Sequence, residues 1–511
     1  MKLWRRNIVG IVVFAGAIPG GSDLTAALTK PVRTEGGLVA GVEGGVAGRD
    51  PGITVFRGIP FAAPPLGRLR WAAPQPPLKW TGVRAADRFG ANCIQTIVDG
   101  KKPWTHEFMA HGDASEDCLF LNVWTAASDP NEKRPVLVFL HGGANTEGSG
   151  SVAVYSGAGL ARKGVVMVTV NYRLGVFGFF TYKELSGNYA LLDQIAALKW
   201  VQTNIAAFGG DPARVTVAGQ SAGASDIALL LGSPLARGLF ERAIMESGGA
   251  PGTGGGRPLA ASQADGARFA EAKGAHSVEE LRALPWKDLF APVAGIRFGP
   301  VIDGTIVPAA GAMIDVPLLA GSNADENGAS PQPGITAAKF RDQARQRYGD
   351  LAGEFLAAYP ASTDDEACAR SNEAARDRQR VLYDEWARTR TAKAPVFVYF
   401  YDHVLPGPDA GQYGSFHTSE VPYVLNSLAD SDRPFTAEDR RVAETLSSYW
   451  ANFAARGDPN GLTSGLDRLP HWPSTAEAPR MTMEIGDANK AIPAAGNDAR
   501  FDLIRKLIAL H

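Results

Sequence analysis

Residues 191–224 read LLDQIAALKWVQTNIAAFGGDPARVTVAGQSAGA, and this stretch decides the predicted fold. Apolar residues recur at steps of three and four from 191 to 207, which predicts a helix that the glycines at 209 and 210 end. The apolar run 215–219 predicts a short strand, and residues 222–231 have helical periodicity again. This alternation of strand and helix indicates an α/β protein with a parallel sheet.

Further apolar runs extend the predicted sheet in both directions along the chain. VLVFL at 136–140 and VVMVTV at 165–170 are continuous apolar runs, as expected of strands that are buried on both faces. The segments 316–321 and 395–401 predict two later strands. The fold class is therefore α/β, with a large, mostly parallel central sheet flanked by helices.

Two kinds of segment lie outside this regular pattern. The glycine-rich region before Phe61 contains short β pieces and predicts an antiparallel edge of the sheet. Helical and loop patterns dominate between 250 and 297 and between 331 and 390. We expect these segments to be insertions that cap the sheet and supply residues to the site above it.

The sequence Gly219-Gln220-Ser221-Ala222-Gly223 carries a G-x-S-x-G pattern between a predicted strand and a predicted helix. Glycines permit a tight strand-to-helix turn that exposes the serine hydroxyl, and the Ala222 N–H at the helix start is placed to stabilise an oxyanion. The alternative is a glycine-rich turn without catalytic function. The segment 141–144, HGGA, follows the strand 136–140 and is a candidate second source of N–H donors, or only a turn.

A serine nucleophile needs a histidine base and an acid, which in this type of fold follow the serine in the order acid, then histidine. That order removes His106, His111 and His141, and of the later histidines His276 leaves little room for an acid at a strand end and His511 is the terminal residue. The candidates are therefore His403, His417 and His471. Three acids precede them after suitable segments: Asp303, Asp325 and Glu326. His417 is favoured because it lies in a loop shortly after the strand 395–401, and Glu326 is favoured because it follows the strand 316–321. The rivals remain open on these grounds.

Composition excludes several other classes of function. The chain has 511 residues, with 51 Lys and Arg against 53 Asp and Glu, a formal net charge of −2. Nucleic-acid binding needs a basic excess or stripe, so we expect no nucleic-acid partner. The sequence contains no CxxC and no histidine pair at metal-ligand spacing, so we expect no metal and no cofactor.

The N-terminus has the pattern of a secretory signal. Lys2, Arg5 and Arg6 precede an apolar run over 8–18, and small residues follow it. We expect a signal peptide over residues 1–27 and a secreted or periplasmic protein, with no membrane span after its removal. A membrane anchor or a disordered tail is the alternative.

The chain contains three cysteines, at 93, 118 and 368. Cys93 and Cys118 are close enough in sequence to form one disulfide in an oxidising compartment, which would leave Cys368 as a thiol. Spacing alone also fits two buried free thiols.

Beyond these arguments, the sequence resembles the type-B carboxylesterases, the cholinesterase-like branch of the α/β-hydrolases, from about residue 36 to 486. This resemblance implies one catalytic domain over residues 28–511. The matching motifs are FRGIPFAAPPLGRLRW (56–71), SEDCLFLNVW (115–124), HGGA (141–144), NYRLGVFGF (171–179), the stretch 191–224, GSNADE (321–326), HTSEVPYV (417–424) and YWANFAARGDPN (449–460).

The resemblance assigns roles residue by residue. It implies that Ser221 is the nucleophile, Glu326 the acid and His417 the base of a catalytic triad. The three oxyanion-hole donors that it implies are the N–H groups of Gly143, Ala144 and Ala222. It also implies a Cys93–Cys118 disulfide and two buried ion pairs, Arg57 with Glu116 and Arg173 with Asp193.

The sequence departs from the family pattern at several positions near the expected substrate. Gln220 stands where the family usually has Glu, and Asn145 stands where an aromatic residue commonly follows the oxyanion glycines. Gly142 belongs to the same loop, and Ser247 matches a serine that supports the triad or is an ordinary hydroxyl beside a helix.

These observations predict a serine carboxylesterase that acts on small-molecule esters through an acyl-enzyme. Because Gln220 removes a negative charge near the alcohol group, we expect neutral or anionic esters rather than choline-type esters. A non-catalytic binding module and an amide hydrolase on the same triad are the alternatives. The sequence does not indicate the physiological ester or the oligomeric state.

Overall fold

The computed structural model describes residues 28, 30–44, 50–248, 255–309, 313–326, 335–390 and 393–510. The predicted signal segment 1–27 lies outside the described residues. Within the described ranges, eleven strands form one large sheet. They are β1 (Val42–Gly44), β2 (Asp50–Pro60), β3 (Phe120–Thr125), β4 (Arg134–Leu140), β5 (Val166–Val170), β6 (Gly210–Gln220), β7 (Arg242–Glu246), β8 (Leu318–Asn323), β9 (Val396–Tyr401), β10 (Met481–Ile485) and β11 (Lys490–Pro493).

The sheet is parallel in its centre and antiparallel at both edges. Its strand order is β11-β10-β9-β8-β7-β6-β4-β5-β3-β2-β1. All pairs from β10 to β5 are parallel, whereas β11 and the strands β3, β2 and β1 pair antiparallel with their neighbours. The carboxyl ends of the parallel strands therefore meet at one edge, where such sheets place their sites.

The central strands are buried on both faces, as their continuous apolar sequence predicts. Along β4, Val136, Val138 and Leu140 pack into one hydrophobic cluster, and Leu137 and Phe139 pack into a second cluster on the opposite face. The predicted strands at 136–140, 165–170, 316–321 and 395–401 are all present, and the predicted antiparallel edge before residue 61 is formed by β1 and β2.

Helices cover both faces of the sheet. The helices α3, α4 and α10 contribute to the first cluster, and α1, α12 and α13 contribute to the second. The fourteen helices among the described residues are α1 (Ala158–Arg162), α2 (Gly175–Phe179), α3 (Tyr189–Asn204), α4 (Ala222–Gly232), α5 (Leu259–Ala272), α6 (Val278–Ala283), α7 (Trp286–Phe290), α8 (Ala337–Tyr348), α9 (Ala352–Ala358), α10 (Asp364–Thr389), α11 (Ala410–Tyr413), α12 (Val421–Val424), α13 (Ala437–Arg456) and α14 (Asp498–Ile508).

The decisive stretch folds with the predicted order but with different bounds. α3 is followed by a 3-10 turn over Ile205–Phe208, and Gly209 ends this turn with a φ of 79°. β6 starts at Gly210 rather than at residue 215, because Gly210 pairs with Arg134 before an irregularity shifts the register at Val215. The helix that follows the G-x-S-x-G pattern is α4.

The disulfide between Cys93 and Cys118 is present in the structure, with an S–S distance of 2.02 Å. Cys368 keeps its thiol, whose Sγ lies 3.6 Å from the Ile335 carbonyl oxygen. Among the described helices, none combines the length and apolar character that crossing a bilayer requires.

One of the two expected ion pairs is wrong. Arg173 and Asp193 are paired as expected, with two hydrogen bonds of 2.8 and 2.7 Å. Glu116, however, is held by Arg70 through two contacts of 2.6 Å, not by Arg57. Arg57 projects from β2 toward the Phe89 ring, 5.2 Å away, whereas the turn after Leu69 brings Arg70 against the buried carboxylate.

Candidate active site

Ser221 lies on the tight turn between β6 and α4, in an unusual backbone conformation. Its φ is 56° and its ψ is −118°, a region in which residues with a side chain are rare and strained. The Ser221 N–H donates to the Glu246 carbonyl at 2.8 Å, which holds the turn against β7. The motif glycine after it is sterically required, because a Cβ on Gly223 would lie 2.1 Å from the Leu140 carbonyl oxygen. The turn thus exposes the serine at the carboxyl edge of the sheet.

His417 and Glu326 form a hydrogen-bonded pair beside this turn. The Nδ1 of His417 lies 2.5 Å from the Glu326 carboxylate. The second Glu326 oxygen accepts the Asn323 N–H at 2.7 Å, so the end of β8 holds the acid in place. The Asn323 side chain in turn donates to the Phe416 carbonyl at 2.8 Å, which ties β8 to the loop that carries the histidine.

The pKa of His417 is raised above its ordinary value of 6.5. Burial alone favours the neutral ring, but the hydrogen bond and charge of Glu326 act against it and are the largest contributions that raise the pKa. The Glu326–His417 pair therefore favours a protonated imidazole, as a base needs once it has accepted a proton.

The serine and the histidine line one cavity without a direct hydrogen bond. Within the described part of the chain the Ser221 hydroxyl has no hydrogen-bond partner, and the Nε2 of His417 lies 3.3 Å from the Gln220 side-chain nitrogen. Catalytic contacts of this kind are often long in structures without substrate. Gln220, and not Ser221, is therefore the residue in contact with the Nε2 of the imidazole.

The loop after β4 contributes Gly143 and Ala144 to the lining of the same cavity. Gly143 and Ala144 both have positive φ, 111° and 53°, and the turn is closed by the N–H groups of Thr146 and Glu147 on the Gly143 carbonyl. Among the described residues neither the Gly143 nor the Ala144 N–H has a backbone acceptor. Ala222 is the first residue of α4, so its N–H is not used by the helix.

The remaining predicted loop residues support this turn. Gly142 lines the cavity, and a Cβ there would lie 2.7 Å from the Gln220 Oε1. Asn145 has a φ of 58° and is buried, and its side chain donates to Asp226 at 3.0 Å. His141 is buried behind the loop, where burial lowers its pKa to about 4 and its Nδ1 donates to the Gly142 carbonyl.

Ser247 lies beneath the turn rather than in the cavity. Its N–H donates to the Gly321 carbonyl at 2.9 Å, and its buried hydroxyl has no partner among the described residues. It does not line the cavity. Its contacts therefore link β7 to β8.

The rival histidines and acids are engaged elsewhere. His403 is buried between two acids, with Nδ1 2.5 Å from Asp487 and Nε2 3.0 Å from Asp439. His471 is exposed and pairs with Glu477. The rival acids are both occupied at other sites: Asp325 by Arg376 and the Ser415 N–H, and Asp303 by the backbone N–H groups of Thr305, Ile306 and Val307.

Two buried glutamates beneath the site were not identified from the sequence. Burial raises the pKa of both Glu246 and Glu420, and their mutual proximity adds to the rise at Glu420. The Trp450 indole donates to Glu246 at 2.7 Å, and the Asn323 amide donates to Glu420 at 2.5 Å. Glu420 follows His417 by three positions in a motif the resemblance covers, whereas nothing local distinguishes Glu246.

The cavity has a volume of about 320 Å³ and is mainly apolar. Its described lining contains two charged residues, Lys101 and Glu147, which pair with each other. Trp104, also missed from the sequence, donates to the His417 carbonyl at 3.0 Å. The lining residues are Gln95, Thr96, Val98, Lys101, Trp104, Phe108, Met109, Ala110, Gly142, Gly143, Ala144, Glu147, Gly148, Val152, Tyr155, Gln220, Ser221, His417 and Thr418.

This lining differs from the expectation that the insertions supply it. None of the described lining residues belongs to 255–297 or 335–390. The helices α5, α6 and α7 instead pack in a hydrophobic cluster with Trp71 and Phe180, and α8, α9, α10 and α14 form another. The cavity walls come from the segment 95–110 and the loop after β4.

One group of described side chains has ligand atoms close enough to hold a metal ion: Asp99, His106 and His111. His106 and His111 have four residues between them, a spacing that metal ligands use, so the expectation that no histidine pair stands at such spacing is wrong. Their ligand atoms lie within 4.8 Å of one another, and the group is exposed and outside the cavity lining. The triad candidates do not belong to it.

Comparison with known proteins shows the family to which the chain belongs. A model described as the Carboxylesterase family matches residues 29–503. The chain belongs to the carboxylesterase family. It is 37% identical to the fumonisin B1 esterase of Sphingopyxis macrogoltabida, over 87% of this chain and 84% of that protein. It is 34% identical to human cocaine esterase, over 87% and 86%, and 34% identical to the para-nitrobenzyl esterase of Bacillus subtilis, over 88% and 94%.

The family confirms the α/β-hydrolase fold that the sequence predicts, and it makes this protein a carboxylesterase whose substrates are small-molecule esters. The large mixed sheet is the sheet of that fold.

Proposed function

We propose that this carboxylesterase hydrolyses its esters by a two-step acyl transfer with Ser221 as nucleophile, His417 as base and Glu326 as acid. The observation that carries the proposal is the 2.5 Å hydrogen bond between Glu326 and His417 at the wall of the cavity that Ser221 lines. A base oriented by an acid beside an exposed serine on a strained turn is the arrangement that activates a hydroxyl.

The reaction begins when the imidazole exchanges its contact with Gln220 for one with the Ser221 hydroxyl. His417 accepts the serine proton as the oxygen attacks the ester carbonyl, and Glu326 stabilises the imidazolium. The N–H groups of Gly143 and Ala144, with that of Ala222, stabilise the oxyanion, and loss of one such donor typically costs about 3 kcal/mol. The alcohol leaves with the proton from His417. Water then attacks the acyl-enzyme as His417 accepts its proton, and the carboxylic acid product leaves as His417 returns a proton to the Ser221 oxygen.

We further propose a preference for neutral or anionic esters over cationic ones. Gln220 places an uncharged amide beside the imidazole, and the two charged residues of the described lining neutralise each other. The buried Glu246 and Glu420 do not replace the missing charge, because burial raises the pKa of both and so favours their neutral forms.

The catalytic proposal is tested with a series of short p-nitrophenyl esters beside a peptide substrate. The wild type is expected to show an initial burst of p-nitrophenol and to cleave esters but not the peptide. Ser221→Ala is expected to abolish both the burst and turnover without changing the circular dichroism spectrum. Retention of turnover by Ser221→Ala would contradict the proposal, and peptide cleavage would favour the amide hydrolase instead.

We also propose that the protein is exported, on the basis of the signal pattern over residues 1–27 and the disulfide between Cys93 and Cys118. Disulfides persist in oxidising compartments and are rare in reducing ones. Expression of the full chain in a Gram-negative host, followed by fractionation and N-terminal sequencing, tests this. A full-length chain confined to the cytoplasm would contradict export.

A further inference from the structure

A buried carboxylate lies on the helix that follows the nucleophile. Asp226 is in the second turn of α4, five positions after Ser221, and is fully buried. One of its oxygens accepts the Asn145 amide at 3.0 Å and the other accepts the Gln194 amide at 2.6 Å. No cation among the described residues acts on this carboxylate.

Burying a carboxylate without a cationic partner costs free energy, and the two amides are the groups that offset part of this cost. Burial raises the pKa of Asp226 to about 7, and the hydrogen bonds from Gln194 and Asn145 oppose that rise only in part. The amide oxygens of both Asn145 and Gln194 are buried and unpartnered among the described residues. Asp226 is therefore the group that orients both amides, since their hydrogen bonds to it are the side-chain hydrogen bonds that the two amides make among the described residues.

Asn145 connects this carboxylate to the oxyanion turn. It follows Gly143 and Ala144 directly and continues their left-handed conformation, and its carbonyl accepts the Gly175 N–H at 2.7 Å. Its backbone is thus held by α2 and its side chain by α4. The second contact joins the loop that carries two of the proposed oxyanion donors to the helix that carries the third.

We propose that Asp226 is a positioning residue: its hydrogen bond to Asn145 fixes the Gly143–Ala144 turn relative to Ser221 and the Ala222 N–H. Gln194, which donates from α3, holds the other carboxylate oxygen and so prevents the side chain from turning away. The inference rests on the proposed function, because it assigns Asp226 to the oxyanion site of that reaction.

The geometry predicts different effects for two substitutions of similar size. Asp226→Asn keeps an oxygen that accepts from Asn145, and its new amide can donate to the unpartnered Gln194 oxygen after that amide turns over. Asp226→Val removes both acceptors. We expect Asp226→Asn to keep kcat within about threefold of wild type and Asp226→Val to lower kcat by about 10- to 100-fold, with KM changed by less than threefold.

A trifluoromethyl ketone provides a readout that packing alone would not change. Its adduct with the serine places an oxyanion in the hole, so its affinity reports the donor geometry. The inhibition constant should rise at least tenfold in Asp226→Val and in Asn145→Ala. In the double variant it should rise no further than in the single variant that has the larger effect. Ala is a suitable replacement at 145 because Ala144 already adopts a similar φ. The matched control is Asp384→Asn, which alters a fully buried carboxylate on α10 that does not line the cavity, and it should leave kcat and the inhibition constant unchanged.

The outcomes separate this inference from the proposed function. Unchanged inhibition constants in Asn145→Ala and Asp226→Val would overturn the positioning role, as would an equal loss in Asp226→Asn and Asp226→Val. If Asp226→Val does not fold, Asn145→Ala and Asp226→Asn still decide the matter. Turnover in Ser221→Ala would instead overturn the proposed function itself.

Discussion

The imidazole of His417 is the residue on which burial and charge act in opposite directions. Burial favours its neutral form, whereas Glu326 at 2.5 Å favours the protonated form, and the pKa is raised above 6.5. Only the neutral ring can accept the serine proton. Activity should therefore be lost as the pH falls through the raised pKa of His417, which lies above the ordinary histidine value of 6.5.

The first prediction removes the charge that raises this pKa. In Glu326→Gln the acid limb of the kcat/KM profile should move to lower pH, because the neutral amide no longer stabilises the imidazolium. The plateau should also fall by about 10²- to 10⁴-fold, because the developing imidazolium loses its counter-charge. The profile is measured from pH 4 to 9 with p-nitrophenyl butyrate.

Asp325→Asn is the matched control, since Asp325 is the neighbouring acid and accepts from Arg376 and Ser415 instead of His417. Its profile should keep the wild-type inflection. A larger shift of the inflection in Asp325→Asn than in Glu326→Gln would show that Asp325, and not Glu326, is the acid.

The second prediction concerns the uncharged side chain beside the imidazole. Gln220→Glu should shift the kcat/KM ratio of butyrylcholine to its uncharged isostere, 3,3-dimethylbutyl butyrate, toward the cation. A unit charge at about 5 Å with an effective dielectric near 20 is worth about 3 kcal/mol, so the shift can reach about 100-fold. Gln220→Leu is the control, because it removes the amide contact without adding charge and should leave the ratio unchanged. A wild type that prefers butyrylcholine would refute the charge argument.

The sequence identifies some of these residues and not others, for physical reasons. Ser221 is predictable because its glycines and its place between strand and helix are local features. Glu326 and Asp325 are adjacent in sequence, and only the fold shows which of them reaches His417. Asp226 looks like a polar residue in an apolar helix, and its partner Asn145 comes from a loop 81 positions away.

At the scale of elements, the crossing of β6, α4 and β4 sets the position of Ser221. The helix approaches the strand so closely that a Cβ on Gly223 would meet the Leu140 carbonyl oxygen at 2.1 Å. At Gly232, at the other end of α4, such a Cβ would have no atom of the described residues within 4 Å apart from its chain neighbours and its own helix backbone. A methyl group would therefore clash with β4 at Gly223 but would be accommodated at Gly232, although both glycines belong to α4.

The third prediction uses this pair of positions. Gly223→Ala should lower the free energy of unfolding by about 1–3 kcal/mol, because the helix must move away from β4. It should also lower kcat at least tenfold, since the Ala222 N–H moves with the helix. Gly232→Ala should leave kcat unchanged and raise stability by about 0.5–1 kcal/mol. Urea unfolding and ester kinetics measure both quantities, and equal effects of the two substitutions would contradict the proposed crowding.

The central strands of the sheet were predictable, but where a strand begins was less so. Continuous apolar runs define β4, β5, β8 and β9 because both faces of each strand are buried. The early start of β6 depends on a partner in another strand, which its own sequence does not reveal. The described parts of the insertions, 255–297 and 335–390, do not supply the lining that the sequence led us to expect, and their helices pack instead into two hydrophobic clusters.

At the scale of the whole molecule, one covalent link constrains the segment that forms a wall of the cavity. Cys93 and Cys118 close a loop with a sequence separation of 25. Gln95, two positions after the first cysteine, is bound to both backbone groups of Gly148, at 2.7 and 2.8 Å. The disulfide thus constrains a segment that contacts the loop after β4.

The last prediction tests that constraint with a matched pair of variants. Chain entropy gives a loop of this length a stabilisation of about 3.5 kcal/mol. With an unfolding entropy of about 2.1 cal/mol/K per residue, this corresponds to a Tm lowered by roughly 3 °C in Cys93→Ser/Cys118→Ser. Cys368→Ser, which keeps a hydroxyl that can reach the Ile335 carbonyl, should leave the Tm unchanged. Calorimetry measures both variants, and a non-reducing peptide map of the exported wild type should link Cys93 to Cys118. A disulfide that includes Cys368 would contradict the pairing of Cys93 with Cys118. An unchanged Tm in the double variant would show that packing, and not the disulfide, stabilises the loop.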